Sequence, residues 1–286
     1  MNFDSISTLL MVGVGASCVL AYIIRILVKG RAHFDRVDRQ GASSLLSKDM
    51  MEGFYWCLQP IGKLLVFFKV TPNQISWASL FFGLLAGICL AFGHFGSGAV
   101  FGSISALFDS LDGMVARLSH VASDAGEVLD AAVDRYVEFF YLGGLVIYYR
   151  EVPVLMILAL LAFLGSFMVS YSSAKAEALH ISPPKGNMRR PERALYLLIG
   201  AGLSPVTIPW FEKVRDFSIP IGHPMVAALC LVAVLANFSA IERFWFIAKA
   251  IRIKEAEESK NKLKKTVAHL EDELESVSDD GKPLRS

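Results

Sequence analysis

Apolar residues in this chain fall in long runs separated by short polar or basic connections, a pattern whose unit is the membrane-crossing helix. The first run, about Ser7 to Ile24, is long enough to span a bilayer and is followed by Arg25, Lys29 and Arg31. Positive charge after the apolar stretch, rather than before it, argues for a retained helix and against a cleaved signal peptide. Residues 30 to 70 are mixed: a polar, basic part to Lys48, then Met51, Phe54, Tyr55, Trp56, Leu58, Ile61, Leu64 and Leu65 among Glu52, Lys63 and Lys69. That second part reads as an amphipathic helix lying in the interface, with Pro60 interrupting the pattern. Thr71 and Pro72 read as an N-cap and a first helical residue, opening a span from about Asn73 to Gly93. A short turn at His94 to Gly98 follows. Further helices are predicted over Ala99–Leu118, Gly126–Tyr149, Val152–Ala174, Ala194–Trp210, bent or broken by Pro205 and Pro209, and Pro224–Ile247. The fold class expected is an all-α membrane protein with a six-transmembrane-helix core, a preceding interfacial amphipathic helix and one extra N-terminal transmembrane helix.

The segmentation that follows is an anchor over 1–30, a basic linker and interfacial helix over 31–70, a six-helix core over 71–250 and a charged tail over 251–286. In the tail, Leu263, Val267, Leu270, Leu274 and Val277 alternate spacings of four and three, a short heptad-like seam. Two heptads are marginal, so a solvated helix is expected there in preference to a dimerising coiled coil, with disorder from Ser278. Composition agrees with the pattern: 54% hydrophobic residues and a mean hydropathy of +0.48 are too apolar for a soluble domain of 286 residues. The formal net charge of +1 hides a segregation. Basic residues concentrate before Asn73, around Arg117, from Lys175 to Arg193 and after Lys249, whereas the alternate connections hold only Arg150, Lys213 and Arg215. By the positive-inside rule the richer connections are cytoplasmic, with the N-terminus outside and the C-terminus inside, in a multi-pass protein of the plasma (inner) membrane. No nucleic-acid partner is expected. The four cysteines, Cys18, Cys57, Cys89 and Cys230, lack metal-ligand spacing and are expected to be free core thiols.

Against this apolar background the stretch from Asp109 to Asp134 places four carboxylates. Asp109, Asp112 and Gly113 share one helix face, which Ala116 extends by a turn, and Gly126, Asp130 and Asp134 form a single stripe at i, i+4 and i+8. One helix ends and the next begins with these carboxylates, so both pairs lie near one membrane surface, the cytoplasmic one. A charge at membrane depth costs about 2.5–3.5 kcal/mol, so four aspartates need compensation. Divalent cations supply it, and an all-oxygen ligand set without His or Cys suits magnesium, calcium or manganese. Two cations could orient a phosphoanhydride, activate an attacking hydroxyl and stabilise the leaving group. A helix-capping role, or pairing with Arg117 and Arg135, would leave unmatched charge in the membrane. A cation or proton pathway is the competing function, but it does not explain Gly113, Ala116 and Arg117.

The pattern Asp109-x-x-Asp112-Gly113-x-x-Ala116-Arg117, eight residues, then Gly126-x-x-x-Asp130-x-x-x-Asp134, resembles the signature of the CDP-alcohol phosphotransferases at all eight fixed positions. The resemblance covers about Met50 to Ala250, and Thr71-Pro72-Asn73 resembles a weaker element before the first core helix of that family. It implies a six-helix, usually dimeric membrane enzyme in which an alcohol displaces CMP from a CDP-linked lipid. It further implies two divalent cations, Mg2+ or Mn2+, held by Asp109, Asp112, Asp130 and Asp134. Asp134 is then the general base, and Asp112, Gly113, Ala116 and Arg117 contact the CDP moiety. Ser170-Tyr171, Lys175-Ala176-Glu177-Ala178 and Arg190-Pro191-Glu192-Arg193 look like the region of prokaryotic phosphatidylinositol-phosphate synthases that holds the acceptor's phosphate. A lysine stands at 175 where that motif often has arginine. The expected partners are CDP-diacylglycerol, a phosphorylated alcohol with inositol 1-phosphate favoured, membrane lipids and a second copy of the chain. Glycerol 3-phosphate is the alternative acceptor, which would make the enzyme a phosphatidylglycerophosphate synthase.

Overall fold

Caps and breaks written in the sequence set most of the helix ends in the computed structural model, which describes residues 3–34, 37–38, 47–182, 188–211 and 219–279. The helices are α1 (Phe3–Lys29), α2 (Lys48–Phe67), α3 (Pro72–Ala91), α4 (Phe95–Leu118), α5 (Asp124–Tyr148), α6 (Pro153–Ala178), α7 (Arg190–Phe211) and α8 (His223–Asp279). A single 3-10 turn, Tyr149–Glu151, joins α5 to α6, and no strand occurs among the described residues. Thr71 caps α3 in a reciprocal box: its hydroxyl accepts from Gln74 N, and the Gln74 side chain accepts from Thr71 N at 3.0 Å. Ser47 caps α2, which runs on through Pro60 rather than breaking there. Pro60 is exposed, so the carbonyl that loses its amide partner can turn outward.

The eight residues between the two halves of the aspartate pattern are one helix ending and one helix start. His120 takes a left-handed φ of 55°, His120 N donates to Arg117 O at 3.2 Å and Val121 N to Ala116 O at 3.0 Å. That is a Schellman termination built without glycine. Ser123 then caps α5 through Gly126 N at 3.2 Å.

Among the described residues, five helices are long and apolar enough to cross a membrane: α1, α3, α4, α6 and the first part of α8. The other two expected spans coincide with α5 and α7, whose first turns carry the charges of the site. Leu10, Val14, Leu27, Phe81, Val154 and Phe238 are among many large apolar side chains left exposed, as a hydrocarbon surround requires.

Two compact units are present, Met1–Tyr171 with Gly186–Ala240, and Ser172–Lys185 with Ile241–Ser286. In the first unit, α3 packs against both α4 and α5, α4 also against α7, α2 and α1. The α3–α5 crossing is a backbone contact. A Cβ on Gly87 would lie 2.3 Å from Phe140 O, and one on Gly144 would lie 2.2 Å from Gly87 O. Ser79 and Ser105 tie α3 to α4 by exchanging hydroxyl-to-carbonyl bonds of 2.9 and 2.8 Å. The main core gathers Leu90, Phe95, Leu142, Leu145, Tyr149, Ala201 and Leu229, all fully buried. A smaller cluster joins Tyr55, Leu58, Ile75, Leu111, Met114 and Val115.

The N-terminal helix is more than a tether. The Asp4 carboxylate accepts from Gly96 N at 2.9 Å and Ser97 N at 2.8 Å, capping α4 from another helix. In the second unit Arg243 donates to Ser173 Oγ at 2.7 Å, and Ser172, Ala176 and Ile247 are buried.

Other expectations change as well, beginning with the turn expected at His94 to Gly98, which is helical from Phe95. The last span and the tail are one helix of 57 residues, because no glycine or proline separates Ile247 from Asp279. The tail is helical as anticipated, and the helix overruns the expected disorder at Ser278, while residues 280–286 and most of the 31–47 linker lie outside the described residues. The cysteines are free, but none is buried: Cys18 and Cys230 are exposed, Cys57 and Cys89 half-buried. In an apolar surround a thiol is as acceptable on the lipid side of a helix as inside.

Candidate metal and substrate site

Helices α4 and α5 bring Asp109, Asp130 and Asp134 together, with one carboxylate oxygen of each within 4.8 Å of the others. Asp134 is buried, and the other two are half-buried. Asp112 lies outside that group. Its Oδ2 accepts from Ser76 Oγ on α3 at 2.6 Å and its Oδ1 from Gly113 N. Gly113, Ala116 and Gly126 are half-buried, and Arg117 is exposed near the end of α4.

A polar connection from Lys175 to Arg193 was expected, but Arg190 and Arg193 stand in the first turn of α7. Glu192 folds back to accept from Arg189 N at 2.9 Å and so satisfies one free amide of that turn. This helical start aims Arg190 into the carboxylates. Its Nη1 lies 3.1 Å from Asp109 Oδ1, and its Nη2 lies 3.1 Å from the same oxygen and 2.5 Å from Asp134 Oδ1. The Asp134 contact is an ion contact off the direction of the N–H bonds, since that oxygen accepts no well-formed hydrogen bond. Arg135 Nη1 is 3.9 Å from Asp134 Oδ2.

Arg193 is 1% exposed. Its Nε donates to Glu138 Oε1 at 3.0 Å, Nη1 to Met188 O at 3.0 Å and Nη2 to Ser170 Oγ at 3.3 Å. Glu138 is one turn beyond Asp134, so this buried pair holds α7 on α5 beside the carboxylates. Lys175 is exposed in the last turn of α6, within the second unit.

Sequence reasoning missed Ser76 and Glu138. Each is a polar residue in or beside an apolar helix, a signal that a buried partner exists but not which one.

Three carboxylates converging on one point, with Asp112 held one turn away, form an oxygen donor set for hard divalent cations. A family model described as CDP-alcohol phosphatidyltransferase matches residues 69–234, more than half of the chain and all of both aspartate stripes. The chain belongs to the CDP-alcohol phosphatidyltransferase family.

Several of its relatives are phosphatidylinositol phosphate synthases. The phosphatidylinositol phosphate synthase of Corynebacterium glutamicum is 32% identical over 172 residues, covering 58% of this chain and 78% of the relative. That of Mycolicibacterium smegmatis is 32% identical over 191 residues, covering 64% and 86%. Among solved structures, the Mycobacterium tuberculosis phosphatidylinositol phosphate synthase with CDP-DAG bound is similar at a TM-score of 0.57 and 26% identity, over 66% of this chain and 92% of that one. The same enzyme in complex with manganese and citrate matches at 0.58, over 66% and 87%. This CDP-alcohol phosphatidyltransferase is therefore a transferase with apolar, membrane-crossing helices. Residues 1–68, with α1 and α2, precede the family match.

Proposed function

We propose that the chain transfers the phosphatidyl group of CDP-diacylglycerol to inositol 1-phosphate, giving phosphatidylinositol phosphate and CMP. The observation that carries this reading is the convergence of Asp109, Asp130 and Asp134, two of which, Asp109 and Asp134, Arg190 touches. It joins a donor set for divalent cations to a guanidinium suited to a phosphate. Names of the relatives support the acceptor.

The oxygen-only donor set fits two Mg2+ or Mn2+ ions, which Asp109, Asp130 and Asp134 would hold together with Asp112, one turn from Asp109 on α4. When bound, the ions neutralise charge on the diphosphate and on the departing CMP. The reaction forms one P–O bond, from the acceptor hydroxyl to the phosphatidyl phosphorus, and breaks the anhydride P–O bond, which leaves with CMP. Asp134 takes the hydroxyl proton as general base. Gly113 and Ala116 leave room for the nucleotide beside α4, and Arg117 together with Asp112 contacts the CDP moiety. Of the residues expected to hold the acceptor phosphate, Arg190 lies beside the carboxylates and is assigned that role. Arg193, whose three donor groups meet Glu138, Met188 O and Ser170, is assigned to holding α7 in place.

The charge distribution supports a cytoplasm-facing site in the plasma (inner) membrane, and membership of the family supports a homodimer. The test is CMP release by purified protein from CDP-diacylglycerol with each acceptor in turn, with and without Mn2+. Metal-dependent release with inositol 1-phosphate is expected. Preference for glycerol 3-phosphate would overturn the acceptor, and no metal-dependent release with any alcohol would overturn the transfer itself.

A further inference from the structure

Asp109 and Asp134 are already neutralised in part by a cation the protein carries itself. Arg190 reaches Asp109 through Nη1 at 3.1 and 3.3 Å and through Nη2 at 3.1 Å, and its Nη2 touches Asp134 Oδ1. The oxygens that Arg190 engages are among those available to a metal. A carboxylate lone pair directed at a guanidinium N–H is not offered to a second cation at the same time. Arg190 and a divalent ion therefore make competing demands on the same two side chains.

We propose that Arg190 is the resident counter-cation of the carboxylate cluster: divalent cations displace its guanidinium from Asp109 and Asp134, and the released guanidinium takes the acceptor's phosphate, so metal loading precedes acceptor binding. This rests on the transferase reading above. Charge drives the exchange. Two divalent cations balance Asp109, Asp112, Asp130 and Asp134, which leaves no net attraction to hold Arg190, and a phosphate dianion then supplies it. The backbone under Arg190 stays fixed while its side chain swings, because Glu192 and Arg193 in the same turn are buried and bonded. The Arg190 side chain is 30% exposed, so an incoming anion can reach it.

The test is binding rather than turnover. Mn2+ affinity is measured by electron paramagnetic resonance on the full-length protein, without nucleotide lipid, for wild type, Arg190→Met and Arg190→Lys. Inorganic phosphate binding is then measured at saturating Mn2+. Arg190→Met is expected to bind Mn2+ about tenfold more tightly and phosphate about tenfold more weakly, with Arg190→Lys between it and wild type. Opposite movements in one variant separate this exchange from a structural role, which would weaken both. Unchanged or weaker Mn2+ binding in Arg190→Met overturns the proposal, as does phosphate binding that is equally tight in wild type without Mn2+. If CMP release remains metal-dependent in wild type while either result holds, the transferase reading stands and this inference alone fails. A wild-type protein that binds no Mn2+ overturns both.

Discussion

Asp134 is 8% exposed, shares its site with two further carboxylates, and sits one turn from a glutamate locked in a buried ion pair. If it is the base, Asp134→Asn keeps the size and the packing but cannot accept the proton. A fall in kcat of about 10²- to 10⁴-fold, measured with saturating CDP-diacylglycerol, is expected. Ser76 gives a subtler test. Its hydroxyl donates to Asp112 Oδ2 across the α3–α4 contact, which makes it an outer partner if Asp112 is a metal ligand as proposed. Ser76→Ala should weaken Mn2+ binding or activity by about 10- to 100-fold. An Mn2+ titration that shows no change would remove Ser76 from the site. Removing Arg193 leaves Glu138 as an unpaired buried charge, so Arg193→Ala should lower stability by about 3–5 kcal/mol, read as a fall in thermal midpoint in detergent. If stability holds and only the acceptor KM rises, Arg193 touches the acceptor after all. The aspartates were legible because a 3.6-residue period fixes which of them share a face. Ser76, Glu138 and the pairing of Arg190 were not, because each depends on which helix lies opposite, and no periodicity encodes that.

Among the elements, α3 is the pivot, since it touches α4 through Ser79 and Ser105 and α5 through Gly87 and Gly144. Any side chain at Gly87 pushes α5, and with it Asp130 and Asp134, away from α3 and so shifts them against the aspartates of α4. Gly87→Ala is therefore expected to destabilise by about 1–3 kcal/mol and to lower activity even where the protein remains folded, which paired thermal-unfolding and CMP-release assays would show. Asp4→Ala removes a cap between α1 and α4 and should cost about 0.5–2 kcal/mol. Helix starts at Thr71 and Ser123 follow side-chain capping chemistry, and Thr71 was legible from sequence alone. The end of α4 was harder to place, because His120 takes the left-handed conformation usually given to glycine. The length of α8 was not legible either: the apolar pattern stops near Ile247, but helix propensity does not.

For the whole molecule, the sequence pattern already separated an apolar bundle from a charged tail and put the carboxylates near one membrane surface. The family match spans both aspartate stripes, which sets them within a CDP-alcohol phosphatidyltransferase core. The acceptor depends on a single guanidinium and on the names of relatives, so the product is the most direct readout. Purified protein with CDP-diacylglycerol, Mn2+ and inositol 1-phosphate should yield an organic-extractable lipid whose mass includes both the phosphatidyl phosphate and the acceptor's own phosphate. A lipid lacking the inositol phosphate mass, or inositol phosphate that stays wholly in the aqueous phase while CMP is released, would contradict the account.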